Sequence, residues 1–277
     1  MKFNLASVAP LVSSREATKP ARIFDNVGIV GTAGTTAAII ETSKGLILFD
    51  CLWPNKVFVD IIENGMRELG YNPADVKIVL ISHGHPDHSG CTKHFIDKYG
   101  AVPYMSKVDY AFEQEFCEKA KNPDWYIDFS VDHFIEDGEI LTLGDTTIRA
   151  FSTPGHTPGG LSFIIPVYDQ SRPHMAAVWG GSAPAAAVKD CETYINSLDY
   201  FIERCKKYDV DAEFCIHPIL NNGIERMQVM INRIDQVANP FVIGLDAYIR
   251  FTELFRQWAE DSIKAGGFDA IALVGKK

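Results

Sequence analysis

The sequence lacks an uninterrupted apolar run approaching the ~18–20 residues that a helix needs to span a bilayer. It is also short of positive charge, because 26 lysine and arginine residues stand against 36 aspartate and glutamate residues, a net charge of −10. An acidic surface repels phosphate backbones and anionic lipid. We therefore expect neither nucleic acid nor a membrane as the partner, and expect a small-molecule substrate instead.

The six cysteines form no CxxC pair and no framework of the kind that staples small secreted domains. Cys91, Cys191 and Cys205 lie on predicted helix stripes, so buried thiols in a reducing cytoplasm are the simplest interpretation. The amino terminus has one positive charge and a short, interrupted apolar patch, which makes a poor secretory signal. We expect a cytoplasmic protein, with a mature secreted form whose leader has been removed as the alternative.

Histidine is scarce, with eight residues in 277, yet three of them fall in one loop, SHGHPDHSG at 82–90. The loop follows an apolar, β-branched run that predicts a buried strand. His83 and His85 are two apart, so they point to the same side of an extended loop. Imidazoles with a carboxylate, here His88 beside Asp87, form the ligand set that zinc favours, with iron or manganese as alternatives. We predict a metal site here; a polar loop of hydrogen-bonded histidines capping a helix is the competing interpretation.

Two further histidines lie at the ends of predicted strands. His156 sits in the turn STPGHTPGG at 152–160, where prolines and glycines on both sides hold it in a tight conformation that is costly unless the imidazole has a function. His217 ends a second buried strand and precedes Pro218. We predict both as metal ligands. For His217 the alternative is a core or loop histidine whose ring nitrogens are hydrogen-bonded within the protein. The other three histidines are interpreted as packed, surface or cleft-wall residues: His94, His133 and His174.

Hydrophobic periodicity predicts two mixed β/α halves, each with a buried strand that runs directly into a histidine, at 78–83 and 212–217. A two-sheet sandwich with helices outside, an α+β fold, accommodates this pattern. No linker separates the halves, so we predict one domain over 1–277, with a loose arm at 1–20 and a C-terminal helical extension at 240–277. The predicted strands cover 23–30, 36–42, 45–50, 75–81, 101–106, 139–143, 146–151, 161–167, 174–179 and 210–216. The predicted helices cover 55–69, 108–121, 189–207, 224–237 and 241–265. A further helix of about three turns is predicted to start at Asp87.

Three features leave alternatives open. Asp50, at the end of its strand, is either a partner that fixes the histidine loop or a turn or helix-capping residue. The irregular aromatic stretch 122–134 either walls a substrate cleft or covers the core. The long aromatic C-terminal helix is either buried in the fold or shared with a partner.

The motif His83-Gly84-His85-Pro86-Asp87-His88, followed by Pro154-Gly155-His156-Thr157-Pro158-Gly159 and later by His217, resembles the metallo-β-lactamase superfamily of hydrolases. The resemblance extends from about Ile23 through the helix after His217. The stretch 135–145 is similar to the dinuclear β-lactamases whose ligands are all histidine and aspartate. The resemblance implies a four-layer αβ/βα sandwich and two zinc ions. The ligands that it implies are His83, His85 and His156 for the first ion and Asp87, His88 and His217 for the second.

The segment 178–184 departs from the pattern of some relatives. Glyoxalase-like members of the superfamily place a bridging aspartate at about this point, and other lactamases place a cysteine. Here the candidates are Gly180 and Ser182, neither of which is a good zinc ligand. This favours a site bridged only by water or hydroxide, with Ser182 contacting the substrate; a glycine turn without a role is the alternative.

These observations predict a β-lactamase-like hydrolase that opens an amide or ester bond. The nucleophile would be a hydroxide between the metals, because metal binding lowers the pKa of water to about 7, and Asp87 would take or relay a proton. A lactone or thioester hydrolase uses the same chemistry. A mono-iron persulfide dioxygenase would leave His88 and His217 idle, a phosphodiesterase or nuclease would need a basic groove, and a non-enzymatic binding protein would not need an intact ligand set.

Overall fold

Two β-sheets with helices outside them form the fold in the computed structural model, which describes residues 14–122, 129–184 and 187–267. Most of the predicted loose arm, Trp125 and Tyr126 of the aromatic stretch, and the end of the C-terminal extension lie outside the described residues. The described residues include all six predicted metal ligands.

The first sheet has seven strands among the described residues, in the order β1-β2-β3-β4-β5-β6-β7. Pairing is antiparallel from β1 to β4 and parallel from β4 to β7. The parallel strands therefore end at the same edge of the sheet, where α/β proteins commonly place their sites. The strands are β1 (Ala21–Phe24), β2 (Val27–Gly31), β3 (Thr36–Thr42), β4 (Gly45–Phe49), β5 (Val76–Leu80), β6 (Val102–Met105) and β7 (His133–Phe134).

The second sheet has five strands in the described part of the chain, in the order β12-β11-β10-β9-β8. Its three hairpin-linked pairs are antiparallel, and the short edge strand β12 runs parallel to β11. The strands are β8 (Ile140–Leu143), β9 (Thr146–Ser152), β10 (Leu161–Asp169), β11 (Arg172–Val178) and β12 (Ala212–Glu213).

Most of the helices pack on the outer faces of the two sheets. Asn55 caps the first of them, because its side chain accepts from the Val57 N–H. The helices are α1 (Lys56–Glu68), α2 (Pro86–Ser89), α3 (Thr92–Tyr99), α4 (Lys107–Ala120), α5 (Val188–Lys207), α6 (Gly223–Ile231) and α7 (Leu245–Lys264).

Strand alternation divides the buried side chains into an inner core and two outer cores. On β3, Ala38 and Ile40 join the inner core between the sheets, whereas Ala37 and Ile39 join an outer core with α1 and α3. A second outer core packs the other sheet against α5 and α7. The layers are thus helix, sheet, sheet and helix, and the predicted four-layer αβ/βα sandwich is confirmed.

The predicted strand 23–30 is wrong as one element, because the chain turns at Asp25 and Asn26 to form the β1–β2 hairpin. The Asp25 carboxylate accepts from the backbone N–H groups of Gln170 and Ser171. The Asn26 side chain bonds the backbone of the same region. The turn is therefore fixed by the opposite sheet, a contact between distant segments.

The predicted three-turn helix from Asp87 is wrong, because the structure has two helices, α2 and α3, that are broken at Gly90 and Cys91. The Gly90 N–H donates to the Leu52 carbonyl, and the Cys91 N–H donates to the Cys51 carbonyl. A Cβ at position 90 would overlap the backbone of Pro54. The segment after β4 therefore inserts at the break and holds the histidine loop.

The predicted strand 210–216 is reduced to Ala212 and Glu213, because the chain then leaves the second sheet. The Phe214 N–H still donates to Ala177 of β11, but the Ile216 carbonyl accepts from the Thr36 N–H of the first sheet. This crossing delivers His217 to the space between the sheets.

The two last helices are shorter than predicted. The helix predicted at 224–237 ends at Ile231, where Asn232 bonds back to the Gln228 carbonyl and Arg233 turns to pair with Asp169. The helix predicted at 241–265 begins after Gly244, whose φ of +77° is a conformation that favours glycine.

The described part of the C-terminal helix is buried in the fold along one face. Tyr248, Phe255 and Ala259 enter the second outer core, while Leu254 is 64% exposed. All six cysteines are free, five of them buried and Cys215 half-buried. Among the described residues, no helix has the length and apolar character that crossing a membrane requires.

Candidate metal centre

The site is formed where strand ends of both sheets meet. Asp50 follows β4 and the histidine loop follows β5, two parallel neighbours. The Leu161 N–H at the start of β10 donates to the Ser82 carbonyl (2.9 Å), and the Thr36 N–H donates to the Ile216 carbonyl (2.8 Å). These bonds join the two sheets at this edge, and they bring together loops that are far apart in sequence.

The structure brings His83, His85 and His156 together in a first cluster, in which one ligand atom from each lies within 4.8 Å of the others. The His85 Nδ1 and His156 Nε2 atoms are 3.1 Å apart. His156 is held on a tight turn that begins with Gly155, at φ +131° and packed against the backbone of Tyr194. The predicted turn around His156 thus has the glycine-dependent geometry that its sequence indicates.

Asp87, His88 and His217 form a second cluster by the same criterion. The Nε2 atoms of His88 and His217 are 3.1 Å apart. The Asp87 Oδ2 atom lies 3.6 Å from the first of these nitrogens and 3.7 Å from the second. All six predicted ligand residues therefore lie in two groups of three.

The outer ring nitrogens have acceptors that determine the tautomers. His156 Nδ1 donates to the Ala183 carbonyl (2.6 Å), and His217 Nδ1 donates to the Gly34 carbonyl (2.8 Å). His88 Nδ1 donates to Asp50 Oδ2 (2.7 Å). Because these acceptors carry no hydrogen, the protons lie on Nδ1, and Nε2 is the inward-facing nitrogen in each ring.

The donor atoms fit a cation in each cluster. A proton shared between two facing nitrogens would leave the third ligand atom unsatisfied. Among the described residues, the buried His83 Nε2 has no hydrogen-bond partner. A cation would satisfy all three donors at once. Tetrahedral zinc with Zn–N bonds of about 2.0–2.1 Å places its nitrogens roughly 3.3 Å apart, close to the observed 3.1 Å contacts.

The first cluster is kept neutral by its surroundings. Burial lowers the pKa of His83 and His156 well below the ordinary value for histidine, and lowers the pKa of His85 to about 4. The neighbouring imidazoles lower these values further, since a second positive charge nearby is unfavourable. These rings therefore present lone pairs at neutral pH without first losing a proton.

The second cluster is charged. Burial opposes ionisation of Asp87, but the imidazoles of His88 and His217 outweigh it and hold the pKa of this carboxyl below its usual value. Burial likewise opposes protonation of His88, but Asp87 and Asp50 outweigh it and raise the pKa of His88. Burial and the charge of His88 lower the pKa of His217. A cation here would meet a carboxylate as well as imidazoles.

Asp50 takes the first of its two predicted roles, because it bonds the histidine loop and fixes it in place. Besides His88, its carboxylate accepts from the Ser82 N–H and the Ser82 hydroxyl, each at 2.8 Å. The Ser82 Oγ in turn lies 2.9 Å from His83 Nδ1. Asp50 is fully buried, so these donors compensate the cost of removing its charge from water.

Ser182 lies beside the first cluster, between Gly181, which packs against the His156 side chain, and Ala183, whose carbonyl accepts from His156. Its Oγ is 3.7 Å from Cys215 Sγ. A Cβ at Gly180 would overlap the Leu161 carbonyl, so of the two predicted candidates only Ser182 places a side chain here. Its contact with substrate stays a prediction.

The three histidines that the sequence excluded lie outside both clusters. Each of them pairs with an acidic residue: His94 with Glu63, His133 with Glu139 and His174 with Asp211.

Three polar residues lie near the site although the sequence did not predict them there. The Thr35 hydroxyl donates to Asp87 Oδ2 (3.3 Å). Asp109 and Glu113, one turn apart on α4, are both fully buried beneath the histidine loop. Burial raises the pKa of Glu113 to about 8, and its carboxyl shares a hydrogen bond with Ser89. The pattern Ser106-x-x-Asp109 indicates a helix start, but nothing local indicates its contacts with the loops.

Comparison with known proteins finds the same family and fold. The family model described as metallo-β-lactamase superfamily matches residues 30–169. The N-acyl homoserine lactonase AttM of Agrobacterium fabrum is 33% identical over 114 residues, 36% of this chain and 40% of AttM. The probable polyketide biosynthesis zinc-dependent hydrolase BaeB of Bacillus velezensis is 27% identical over 125 residues, 45% of this chain and 47% of BaeB. The chain thus aligns with less than half the length of either enzyme.

Among solved structures, BJP-1, a subclass B3 metallo-β-lactamase of Bradyrhizobium japonicum, superimposes with a TM-score of 0.77 at 24% identity, covering 90% of this chain and 94% of BJP-1. At this level of identity the likeness shows the fold. The family match extends over slightly more than half of the sequence and includes the histidine loop and His156. The chain therefore belongs to the metallo-β-lactamase superfamily.

Proposed function

We propose that the chain is a hydrolase that holds two zinc ions and opens an amide or ester bond in a small molecule, in the manner of a β-lactamase. One observation supports this most: six ligand atoms converge in two groups of three, and the buried His83 Nε2 has no hydrogen-bond partner in the part of the chain that the structure describes. His83, His85 and His156 would hold the first ion, and Asp87, His88 and His217 would hold the second.

The donor chemistry supports zinc. Imidazole nitrogens and one carboxylate oxygen are ligands that zinc accepts. The outer ring nitrogens of His88, His156 and His217 bond a carboxylate or a carbonyl oxygen, as histidine ligands of metals commonly do. BaeB, a relative, is named as a zinc-dependent hydrolase. Iron and manganese are the alternatives that metal analysis would distinguish.

When bound, zinc lowers the pKa of water to about 7 and polarises a carbonyl group. Protein side chains would accept the proton and contact the substrate. Asp87 Oδ2 lies at the second cluster in its ionised form and would hold the proton that leaves the attacking water. The Thr35 hydroxyl donates to that same oxygen and fixes its direction. The Ser182 hydroxyl, beside His156, would contact the substrate.

Lactone or thioester hydrolysis is the second candidate function. It needs the same attack on a carbonyl, and the relative AttM is an N-acyl homoserine lactonase. A mono-iron persulfide dioxygenase is less well supported. It would use only the first cluster, whereas Asp87, His88 and His217 converge as closely as the first three residues do.

Metal analysis combined with a substrate panel tests this proposal. We expect two zinc equivalents per purified chain and hydrolysis of nitrocefin at an enzymatic rate. His94→Ala is the control, because His94 pairs with Glu63 outside both clusters, and it should keep both ions and full turnover. Hydrolysis of lactones or thioesters but not of nitrocefin would indicate a lactone or thioester hydrolase instead of a β-lactamase. A single iron with persulfide oxidation, or no metal at all, would contradict the proposal.

A further inference from the structure

We propose that Asp109, a fully buried carboxylate on α4, is a positioning residue that holds together the two loops of the first cluster. It does not belong to either group of candidate ligands. This inference rests on the proposed function, because it assigns Asp109 a role in the affinity of the first cluster for its ion.

The Asp109 carboxylate accepts three hydrogen bonds from the two loops. Oδ2 accepts from the Gly84 N–H (2.8 Å) and from the Thr157 hydroxyl (2.6 Å). Oδ1 accepts from the Gly159 N–H (2.6 Å). One side chain therefore contacts the loop after β5 and the turn after β9.

These bonds lie next to the candidate ligands. Gly84 separates His83 from His85, and Thr157 directly follows His156. The His85 and His156 rings that meet at 3.1 Å are 71 residues apart in sequence. A shared acceptor between the two segments would fix the distance between the rings before any ion binds.

The close approach of α4 depends on two glycines. A Cβ at Gly84 would lie 2.5 Å from the Asp109 carbonyl oxygen, and a Cβ at Gly159 would lie 2.6 Å from the Asp109 nitrogen. Ser106, the N-cap of α4, also donates to the Gly159 carbonyl (2.6 Å) and accepts from the Asp109 N–H (3.0 Å). The first turn of α4 is therefore fitted directly to the loop backbones.

A carboxylate suits this position better than an amide. All three partners are donors, and an ionised carboxylate only accepts. An asparagine would direct its NH2 group at one or two of those donors. The geometry would then lose at least one hydrogen bond and place two donors in contact inside a buried site.

Asp109 and Asp50 form hydrogen bonds at different clusters. Asp50 bonds His88 of the second cluster directly and reaches His83 only through Ser82. In the described part of the chain, the hydrogen bonds of the Asp109 carboxylate all go to the segments around the first cluster. Removing Asp109 should therefore weaken the first ion selectively, a result that general destabilisation would not give.

The test compares Asp109→Asn with Glu118→Gln, which removes one charge from an exposed position of the same helix. Zinc affinity at each site is measured by competition with a chelator, and the imidazole ¹⁵N shifts of His156 and His217 identify which cluster each ion occupies. We expect Asp109→Asn to lower the affinity of the first cluster about 10- to 100-fold and to leave the second within a few-fold. Glu118→Gln should change neither. Unchanged affinity at the first cluster, or equal losses at both, would overturn the inference.

Amide hydrogen exchange separates this inference from the proposed function. In chelator-treated protein, Asp109→Asn should speed exchange of the Gly84 and Gly159 amides, which donate to the carboxylate. If the wild type binds no metal while these amides still lose protection, the proposed function fails but the loop restraint stands. If Asp109→Asn does not fold, Thr157→Val, which removes one of the three bonds, should give a smaller loss of first-cluster affinity. Wild-type affinity in Thr157→Val would then overturn the inference.

Discussion

The two clusters use the same kind of imidazole but differ in charge. The first has three neutral histidines and no acidic ligand, whereas the second includes Asp87 and bonds the buried carboxylate of Asp50 through His88. A cation in the first cluster would keep its full charge, which favours polarisation of a carbonyl. A cation in the second would be partly neutralised, which favours holding a proton acceptor nearby.

The clusters also differ in how the backbone holds them. In the second, Asp87 and His88 are neighbours in sequence, and only His217 must be brought from elsewhere. In the first, His156 must meet His83 and His85 across two separate turns, and the Asp109 side chain joins those turns. Separate residues therefore supply the charge of the second cluster and the spacing of the first, so each can be altered independently.

The largest expected effect is the loss of a first-cluster ligand. His85→Ala should lose one metal equivalent and lower kcat/KM by roughly 10³-fold or more, about 4 kcal/mol of transition-state stabilisation. Metal content and turnover are measured on the same preparation, with His94→Ala as the control. Full turnover with one metal equivalent gone would contradict the two-ion account.

Asp87→Asn probes the charge of the second cluster. The amide keeps an oxygen but loses the negative charge and the capacity to hold a proton, so we expect loss of the second ion and a fall in turnover of roughly 10²-fold. Zinc titration should show the first cluster at wild-type affinity. Equal weakening of both clusters would mean that they do not differ in the way proposed.

Asp50→Asn should give a smaller and graded effect. The acceptor for His88 Nδ1 and for both Ser82 donors is altered, and second-cluster affinity should fall about 10- to 100-fold. Ser82→Ala, which removes the hydroxyl that bonds both Asp50 and His83 but leaves the bond between Asp50 and His88, serves as the comparison. Chelator competition measures both variants, and an Asp50→Asn protein with wild-type affinity at the second cluster would contradict the assigned role.

Glu113→Gln should change turnover least and pH dependence most. The folded pKa of Glu113 is raised to about 8, above its unfolded value, so the folded state keeps a proton that the unfolded state loses. Stability of the chelator-treated wild type should therefore fall as pH rises from about 4.5 to about 8, by up to about 1.4 kcal/mol per pH unit. Glutamine cannot ionise, so the variant should lack this contribution. Urea unfolding at pH 5.5 and 7.5 measures it, and parallel slopes would rule out a neutral Glu113.

Much of the site follows from local sequence. The histidine loop follows a β-branched run, and the glycines and prolines around His156 indicate a tight turn, so the sequence predicts both at strand ends. Because strand ends of the two sheets meet at one edge, the six candidate ligands lie together. The order of elements and the family resemblance predict the layer order, and in the structure alternating apolar residues on β3 enter two different cores.

The residues that escaped prediction depend on contacts between distant segments. Asp109 has the sequence context of a helix start, yet its partners Gly84 and Gly159 are 25 and 50 residues away. The break in the helix after Asp87 depends on a segment from β4, and the turn at Asp25 depends on the opposite sheet. The single-domain organisation and the cytoplasmic location stay predictions.

Anomalous diffraction at the zinc edge, from crystals of the chain purified with zinc, would locate the ions themselves. We expect two peaks, one bounded by His83, His85 and His156 and the other by Asp87, His88 and His217. A single peak, or a structure in which His156 or His217 points away from the histidine loop, would contradict it.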